Sequence, residues 1–331
     1  MASATLLSDV RSQVTVDVDS MDPDVAARHT TAEHKFCDMT SNQAIVYSEA
    51  IRPQRAHVFN AAVDQIRSAE SQLDLETQVS NALDLLTVLL AKEVYPHITG
   101  RVHAQTSPPT AYDTEATIQH AKKLVALFEA NGIPKSRVCI KIPATPESIV
   151  ACQYLERLGI RTLATCLFSV RQAMAAHQAG CLYVAPYFNE LRVHFEPGVW
   201  KEYADTAREH PMAPVIGAIV QLFREIGSST LVMPASIVTA KEVLALVTLK
   251  PDHLTLSGAV LDQLAASGSA VDEAPKPHHP DSINYLENGA AALREAFGYD
   301  AEASRKMADA LKIFGEMEVK TKELLRAALR A

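Results

Sequence analysis

A single lysine, Lys141, interrupts the apolar, strand-like run of residues 138–143. Burying an ammonium group is costly, so a lysine inside such a run is expected to be paired or chemically active. Burial favours the neutral amine, and a neutral amine forms Schiff bases with carbonyl compounds. The alternative is a lysine on an edge strand whose ammonium reaches water. The run therefore predicts either an imine-forming nucleophile or a surface lysine.

Polar side chains recur at alternate positions in other apolar runs. Asp17 and Asp19 share one face of the first run, and Gln105 ends the third. Thr165 and Tyr187 hold the equivalent positions in the fifth and sixth. Because residues i and i+2 of a strand face the same side, inward faces would surround the lysine with carboxylates, an amide, a hydroxyl and a phenol. Such a set is suited to proton transfer in imine chemistry.

Each of these side chains also has an interpretation without chemistry. Asp17 or Asp19 could cap the turn that follows, and Gln105 could bond the loop backbone. Thr165 could reflect β-propensity, and Tyr187 could be a packed aromatic with a satisfied hydroxyl. Only their joint placement at strand ends indicates a site.

The apolar runs alternate with amphipathic helical segments, which is typical of a parallel α/β architecture. The predicted strands are residues 14–18, 36–40, 101–105, 138–142, 162–167, 182–186, 230–233 and 253–257. Eight strands with intervening helices predict a (β/α)8 TIM barrel, whose active site lies at the C-terminal ends of the strands. A doubly wound sheet is the alternative, although no glycine-rich phosphate-binding motif follows any run.

We expect residues 1–331 to form a single domain. A polar, proline-containing connection over residues 267–280 leads into a helical tail, 282–330, that is expected to pack back on the barrel. His278 and His279 in this connection are expected to be solvated rather than bound to a metal.

Net charge, cysteine content and hydrophobicity argue against several classes of binding partner and cellular location. The net charge is −8 with acidic and basic residues interspersed, which argues against nucleic acid. The five cysteines form no C-x-x-C pair, so a disulfide framework or zinc site is not expected. The start of the chain lacks the features of a secretory signal, and the most apolar stretch is too short to span a membrane. We therefore expect a cytoplasmic protein without a membrane partner.

The region around the lysine resembles the Schiff-base lysine region of transaldolases. The similar segments there are residues 140–145, 159–160, 165–169, 172–173 and 179–180. Further segments extend the resemblance over most of the chain, at 17–22, 38–42, 112–116, 233–236 and 252–256. The resemblance implies a barrel without metal or cofactor, a Schiff base on Lys141, an acid at Asp19 and dimerisation. It also implies residues that orient the substrate, which are Thr40, Asn42 and Ser236, and we group Asp17 with them.

Three positions depart from transaldolases proper. Gln105 stands where those enzymes carry glutamate, Tyr187 where they carry phenylalanine, and Leu163 where they carry asparagine. These residues are similar to those of the related fructose-6-phosphate aldolases, in which glutamine, threonine and tyrosine hold a catalytic water. That likeness implies cleavage or a simple aldol reaction rather than dihydroxyacetone transfer.

The phosphate-binding positions of the family also differ. Glu190 stands where the family has arginine, and Val238 where it has arginine or lysine. Losing two charge-assisted contacts, at roughly 1.5–3 kcal/mol each, would weaken binding of a sugar phosphate strongly. Arg192 or Lys241 could compensate only if the loops were rearranged. The expected substrate is therefore a small carbonyl compound that lacks phosphate.

The sequence thus predicts a Schiff-base aldolase or transaldolase-like enzyme that makes or breaks a C–C bond. One alternative is an ordinary transaldolase, which transfers dihydroxyacetone between sugar phosphates of the pentose phosphate pathway. A second is a catalytically silent barrel that acts as a binding protein. A third is a metal-dependent hydrolase that uses His103 with Asp17 and Asp19.

Overall fold

The computed structural model describes residues 5–31, 34–268 and 283–331. The strands are β1 (Thr15–Val18), β2 (Val102–Gln105), β3 (Val138–Pro143), β4 (Arg161–Leu167), β5 (Tyr183–Pro186), β6 (Leu231–Val232) and β7 (His253–Leu256). The helices are α1 (Leu6–Gln13), α2 (Pro23–Arg28), α3 (Gln43–Ala50), α4 (Ala56–Ala69), α5 (Leu75–Val94), α6 (Thr114–Ala130), α7 (Pro146–Arg157), α8 (Val170–Ala179), α9 (Thr206–Glu209), α10 (Ala213–Glu225), α11 (Ala240–Thr248), α12 (Gly258–Ala266), α13 (Glu287–Tyr299) and α14 (Ala301–Arg330). Most of the predicted connection 267–280, with His278 and His279, lies outside the described residues.

The strands form a parallel ring. β2 to β6 are hydrogen-bonded in sequence order, and β1 pairs with β7. The segment predicted as the second strand makes only isolated bridges, in which Met39 joins Val18 of β1 to Val102 of β2. Between β6 and β7, the Asp252 N–H donates to the Val232 carbonyl at 3.1 Å. The predicted (β/α)8 barrel is confirmed, with the correction that its second segment is too irregular to form a regular strand.

Local sequence signals set the ends of the helices that surround the ring. Asp113 caps α6 by accepting a hydrogen bond from the Ala116 N–H at 2.9 Å. Gly180 ends α8 in the left-handed conformation, with φ of 82°, which glycine adopts without steric cost. The apolar face of α6 is buried, as its spacing predicts. Such helix ends return the chain to the next strand and so keep all the C-terminal strand ends on one side.

The C-terminal helix α14 lies across this barrel and packs on α3 and α5. Its buried side chains include Met307, Phe314 and Leu325. Arg305 of this helix forms an ion pair at 2.8 Å with Glu190, which lies in the loop after β5. The tail therefore contacts the side of the barrel that carries the strand ends.

The long helix α5, which contains the apolar stretch noted in the sequence, is buried along most of its length. Across residues 5–31, 34–268 and 283–331, no helix is both long and apolar enough to cross a membrane. The five cysteines are all free thiols.

A buried polar cluster fills the barrel near the N-terminal ends of the strands. Asp38 lies 2.8 Å from His103 Nε2, and Asp17 lies 2.8 Å from His253 Nδ1. The other oxygen of Asp17 accepts the Asp38 N–H at 2.7 Å. Burial opposes ionisation of Asp38, but the hydrogen bond and charge of His103, with the Arg101 N–H, outweigh it and hold the pKa of Asp38 well below its usual range. The ionised Asp38 therefore stabilises the fold.

The Asp38–His103 pair predicts a pH-dependent contribution to stability. A carboxylate whose pKa falls on folding stabilises the protein at pH values above its pKa in the unfolded chain, which is about 4. This contribution is lost as the pH falls from there through the pKa of the folded state. We expect Asp38→Asn to lower the free energy of unfolding by about 2–4 kcal/mol at neutral pH. Urea denaturation at a series of pH values should show this difference shrinking below about pH 4. Asp64→Asn, on an exposed side chain, is the control, and a cost of Asp38→Asn that stays constant with pH would contradict the assignment.

Candidate active site

A cavity of about 290 Å³ opens at the C-terminal ends of the strands. Five residues predicted from the sequence line it, namely Asp19, Asn42, Lys141, Tyr187 and Ser236. Its apolar wall consists of Ala44, Ile45, Leu191, Phe195, Ala235 and Ile237, and its remaining polar lining of Ser48, His194, Thr255 and Ser257. The cavity lies where a barrel of this type carries its active site.

Lys141 reaches this cavity from β3, in which every residue is buried. Only 2% of its surface is exposed, and its Nζ lies 5.9 Å from the centre of the Tyr187 ring. Burial lowers the pKa of Lys141, while the nearby charge of Asp19 acts in the opposite direction. The prediction of a buried lysine is confirmed, and its environment favours the neutral amine that attacks carbonyl carbons.

Asp19 is held beside the lysine by two threonines. The Thr40 hydroxyl donates to Asp19 Oδ1 at 2.6 Å and lies 2.5 Å from the Thr255 hydroxyl. Thr40 thus lies behind the carboxylate, whereas Thr255 also lines the cavity. This arrangement fixes the rotamer of Asp19, so that its carboxylate can exchange protons with a bound molecule.

Tyr187 and Thr165 form a second polar pair. The Thr165 hydroxyl donates to Tyr187 Oη at 3.2 Å. Burial raises the pKa of Tyr187 well above its ordinary value, so the phenol keeps its proton and can donate it. Cys166, next along β4, has a left-handed backbone with φ of 52°, and burial raises the pKa of its thiol to about 11. Sequence analysis did not assign Cys166 to the site, because strand alternation predicts the opposite face for it, whereas in the structure its thiol lies near Tyr187 and Lys141.

Gln105 lies directly beside Lys141 in the register of β2 and β3. Its amide nitrogen donates to Gln43 Oε1 at 2.7 Å, and the residue also borders a separate, small cavity of about 20 Å³. Gln105 Oε1 is buried and has no hydrogen-bond partner within the described part of the chain. The structure therefore brings Gln105 next to the lysine, but not onto the wall of the larger cavity.

Asn42 and Ser236 both line the larger cavity. Asn42 Oδ1 caps α3 by accepting the Ala44 and Ile45 N–H groups at 2.9 and 3.0 Å. Ser236 has a left-handed backbone, with φ of 58°, and its hydroxyl lies 2.9 Å from His194 Nε2. Strained backbone of this kind concentrates at functional sites.

His194 is a lining residue that sequence analysis missed. It ends the 3₁₀ turn Leu191–His194 after β5, where strand alternation gives no signal. His194 lines the cavity while remaining accessible to solvent, and partial desolvation lowers its pKa below the ordinary histidine value. It offers the site an imidazole that can accept or donate a proton.

Asp17 does not reach this cavity. It is fully buried, and both of its oxygens are bonded within the lower polar cluster. One atom each of Asp17, Cys37 and His253 lies within 4.8 Å of the others, a spacing that a metal ion could use. His103, which the hydrolase alternative groups with Asp17 and Asp19, instead bonds Asp38.

Comparison with known proteins places this geometry in a family. Residues 15–325 match the family model described as transaldolase/fructose-6-phosphate aldolase. The chain belongs to that family. This confirms the resemblance that the lysine region indicates.

Relatives named transaldolase match this family member along nearly its whole length. The protein of Alteromonas mediterranea is 31% identical over 326 residues, covering 98% of this chain and 99% of the relative. That of Schizosaccharomyces pombe is 30% identical over 305 residues, covering 91% and 92%. That of Cellvibrio japonicus is 31% identical over 297 residues, covering 89% and 91%. The predicted closeness to the fructose-6-phosphate aldolase branch is not confirmed by these relatives.

The cavity of this transaldolase family member is lined by few positively charged side chains. Among the described residues that line the cavity, Lys141 is the only lysine or arginine. Two cations considered as replacements for the missing phosphate contacts bind elsewhere. Arg192 pairs with Glu196 at 2.7 Å, and Lys241 donates to the Tyr203 carbonyl at 2.6 Å.

The environment of Lys141 predicts how its amine titrates. We expect its pKa to lie below the ordinary lysine value of about 10.4, because burial disfavours the ammonium form. Asp19→Asn should lower this pKa further, since it removes the charge that stabilises the ammonium. Trace acetylation at a series of pH values, read by mass spectrometry with exposed Lys122 as internal reference, measures both. A Lys141 pKa that does not change in Asp19→Asn would contradict the coupling.

Proposed function

We propose that the chain is a class I, Schiff-base-forming enzyme of the aldolase and transaldolase type, with Lys141 as its nucleophile. The observation that carries this proposal is a buried lysine of lowered pKa that opens on a cavity of about 290 Å³ beside a carboxylate. Membership of the family supports the same chemistry.

The first half of the reaction forms the imine. The neutral amine of Lys141 attacks the carbonyl carbon of the substrate, and the resulting carbinolamine loses its hydroxyl as water. Tyr187 is suited to donate the proton that this departure needs, because burial keeps the phenol protonated. Gln105 and Thr165 assist through a water or through Tyr187.

The second half breaks or forms the C–C bond. The iminium draws electrons from the bond β to nitrogen, so that this bond breaks and leaves an enamine on Lys141. Asp19 accepts the proton released from the substrate hydroxyl. Asn42 and Ser236 contact the substrate directly, whereas Thr40 acts through Asp19. The enamine then attacks an acceptor aldehyde in a transfer reaction, or takes up a proton in a cleavage reaction.

The relatives favour transfer as the outcome. Proteins that match this chain along nearly their whole length carry the name transaldolase. This supports dihydroxyacetone transfer between sugar phosphates, of the pentose phosphate type, over a reaction on a compound without phosphate. Transfer is therefore the first candidate.

A substrate without phosphate is the second candidate, and one observation favours it. Lys141 is the only lysine or arginine among the described residues that line the cavity, and Glu190 is held by Arg305 at 2.8 Å. A phosphate dianion would find no charge-assisted contact there besides the reacting amine. The apolar wall suits a neutral end of a carbonyl compound.

Reductive trapping tests the proposed nucleophile. Dihydroxyacetone or fructose 6-phosphate with borohydride should label the wild-type chain at Lys141, as located by mass spectrometry. Lys141→Met should abolish the label, because Lys141 is the only lysine among the described residues that line the cavity, whereas Lys122→Met on the exposed face of α6 should retain it. Absence of any adduct in wild type would leave the silent binding protein as the better account.

A second substitution separates the two candidate substrates. We expect Val238→Arg to lower the KM for fructose 6-phosphate by about tenfold or more, with little change for fructose, because it restores a cation at the family's phosphate position. Val238→Met controls for side-chain length. A wild-type enzyme that already prefers fructose 6-phosphate over fructose by more than about a hundredfold would exclude the phosphate-free candidate.

A further inference from the structure

Two buried glutamines are hydrogen-bonded to each other next to the strand that carries Lys141. Gln43 begins α3, immediately after the second barrel segment, and Gln105 ends β2. Only 8% of Gln43 and 5% of Gln105 is exposed. Neither the family comparison nor the reaction outlined above assigns a role to Gln43.

The hydrogen bonds determine which end of each amide is oxygen. One end of Gln43 lies 3.0 Å from the Thr106 carbonyl oxygen and 3.4 Å from the Gln105 carbonyl oxygen. Carbonyls only accept, so this end must be the NH₂ group. The other end of Gln43 is therefore oxygen, and the Gln105 group that it contacts at 2.7 Å must be NH₂. The remaining end of Gln105 is consequently its carbonyl oxygen.

The order of the barrel segments gives the direction of that oxygen. Gln43 lies on the side of the second segment, and Lys141 lies on β3, on the other side of β2. Because the two ends of an amide diverge, the Gln105 oxygen points away from Gln43, and the neighbour of β2 on that other side is β3, which carries Lys141. This oxygen is buried and has no partner among the described residues, and such a buried acceptor calls for an explanation.

We propose that Gln43 is a positioning residue that holds Gln105 with its carbonyl oxygen, rather than its NH₂ group, toward Lys141. This inference rests on the proposed function. The oxygen accepts a hydrogen bond from the carbinolamine hydroxyl, or from the water that forms when this hydroxyl leaves. Without Gln43 the amide of Gln105 rotates, and its NH₂ group competes with the group that must donate a proton there.

A set of paired variants tests this role. The readout is the rate at which dihydroxyacetone and cyanoborohydride label Lys141 in the full chain. We expect Gln43→Met to lower this rate about tenfold in an otherwise wild-type chain. When Gln105 is replaced by glutamate, Gln43→Met should lower the labelling rate by less than about twofold, because a carboxylate presents oxygen at both ends. In a Gln105→Met background it should lower the rate equally little, because no amide remains to be oriented.

The controls separate positioning from packing. Gln178→Met removes another glutamine that bonds backbone groups, at Ile283 and Tyr285 on the far side of the barrel, and should leave the rate unchanged. Equal losses from Gln43→Met in all three backgrounds would show that Gln43 only packs, and would overturn the inference while leaving the nucleophile intact. No adduct in the wild-type chain would instead overturn the proposed function, and this inference with it.

A conservative variant keeps the test independent of the folding of Gln43→Met. Protonated glutamic acid keeps one donor for the Thr106 carbonyl and one acceptor for the Gln105 amide, whereas the carboxylate cannot donate to Thr106. The labelling rate of Gln43→Glu relative to wild type should therefore rise as the pH falls from about 8 to about 5. A ratio that does not change with pH would contradict the positioning role.

Discussion

The structure of the site depends on the cost of burying the Lys141 amine. A closed ring of strands surrounds it, and every residue of β3 is buried. This environment disfavours the ammonium form, while Asp19 favours it. The balance leaves an amine that can be neutral when it attacks a carbonyl and positively charged once it has become an iminium. The threonines that hold Asp19 and the phenol of Tyr187 are useful only because this amine lies at the centre of the barrel.

Two carboxylates only two residues apart, Asp17 in β1 and Asp19 just after its end, lie in different environments. Asp17 is sealed into the lower polar cluster, where it bonds His253 and the Asp38 backbone. Asp19 lies one strand repeat higher, beside the cavity. Residues i and i+2 of a strand differ by about 6.6 Å along its axis, which is enough to separate a stabilising layer from a reacting layer. The barrel can therefore retain buried charge for stability without involving it in chemistry.

The different depths of Asp17 and Asp19 in the barrel explain why the sequence could predict only part of the site. Alternation predicted the inward face of each strand, and Lys141, Asp19 and Tyr187, which it put there, line the cavity. It could not give depth, so Asp17 was grouped with the substrate-binding residues although it lies below them. Gln43 and His194 escaped notice because one begins a helix and the other ends a 3₁₀ turn, where a period of two has no meaning. The irregular second segment was predicted as a full strand because its apolar pattern does not show that its pairing is interrupted.

The central claim is that Lys141 forms a covalent bond to a carbonyl carbon in this cavity. The most direct test is a crystal structure of the chain after reduction with borohydride in the presence of dihydroxyacetone. We predict continuous density from Lys141 Nζ to the former carbonyl carbon, with Asp19 and Tyr187 within hydrogen-bond distance of the product. An unmodified Lys141, with its ammonium paired to Asp19 and the compound absent from the cavity, would contradict the account.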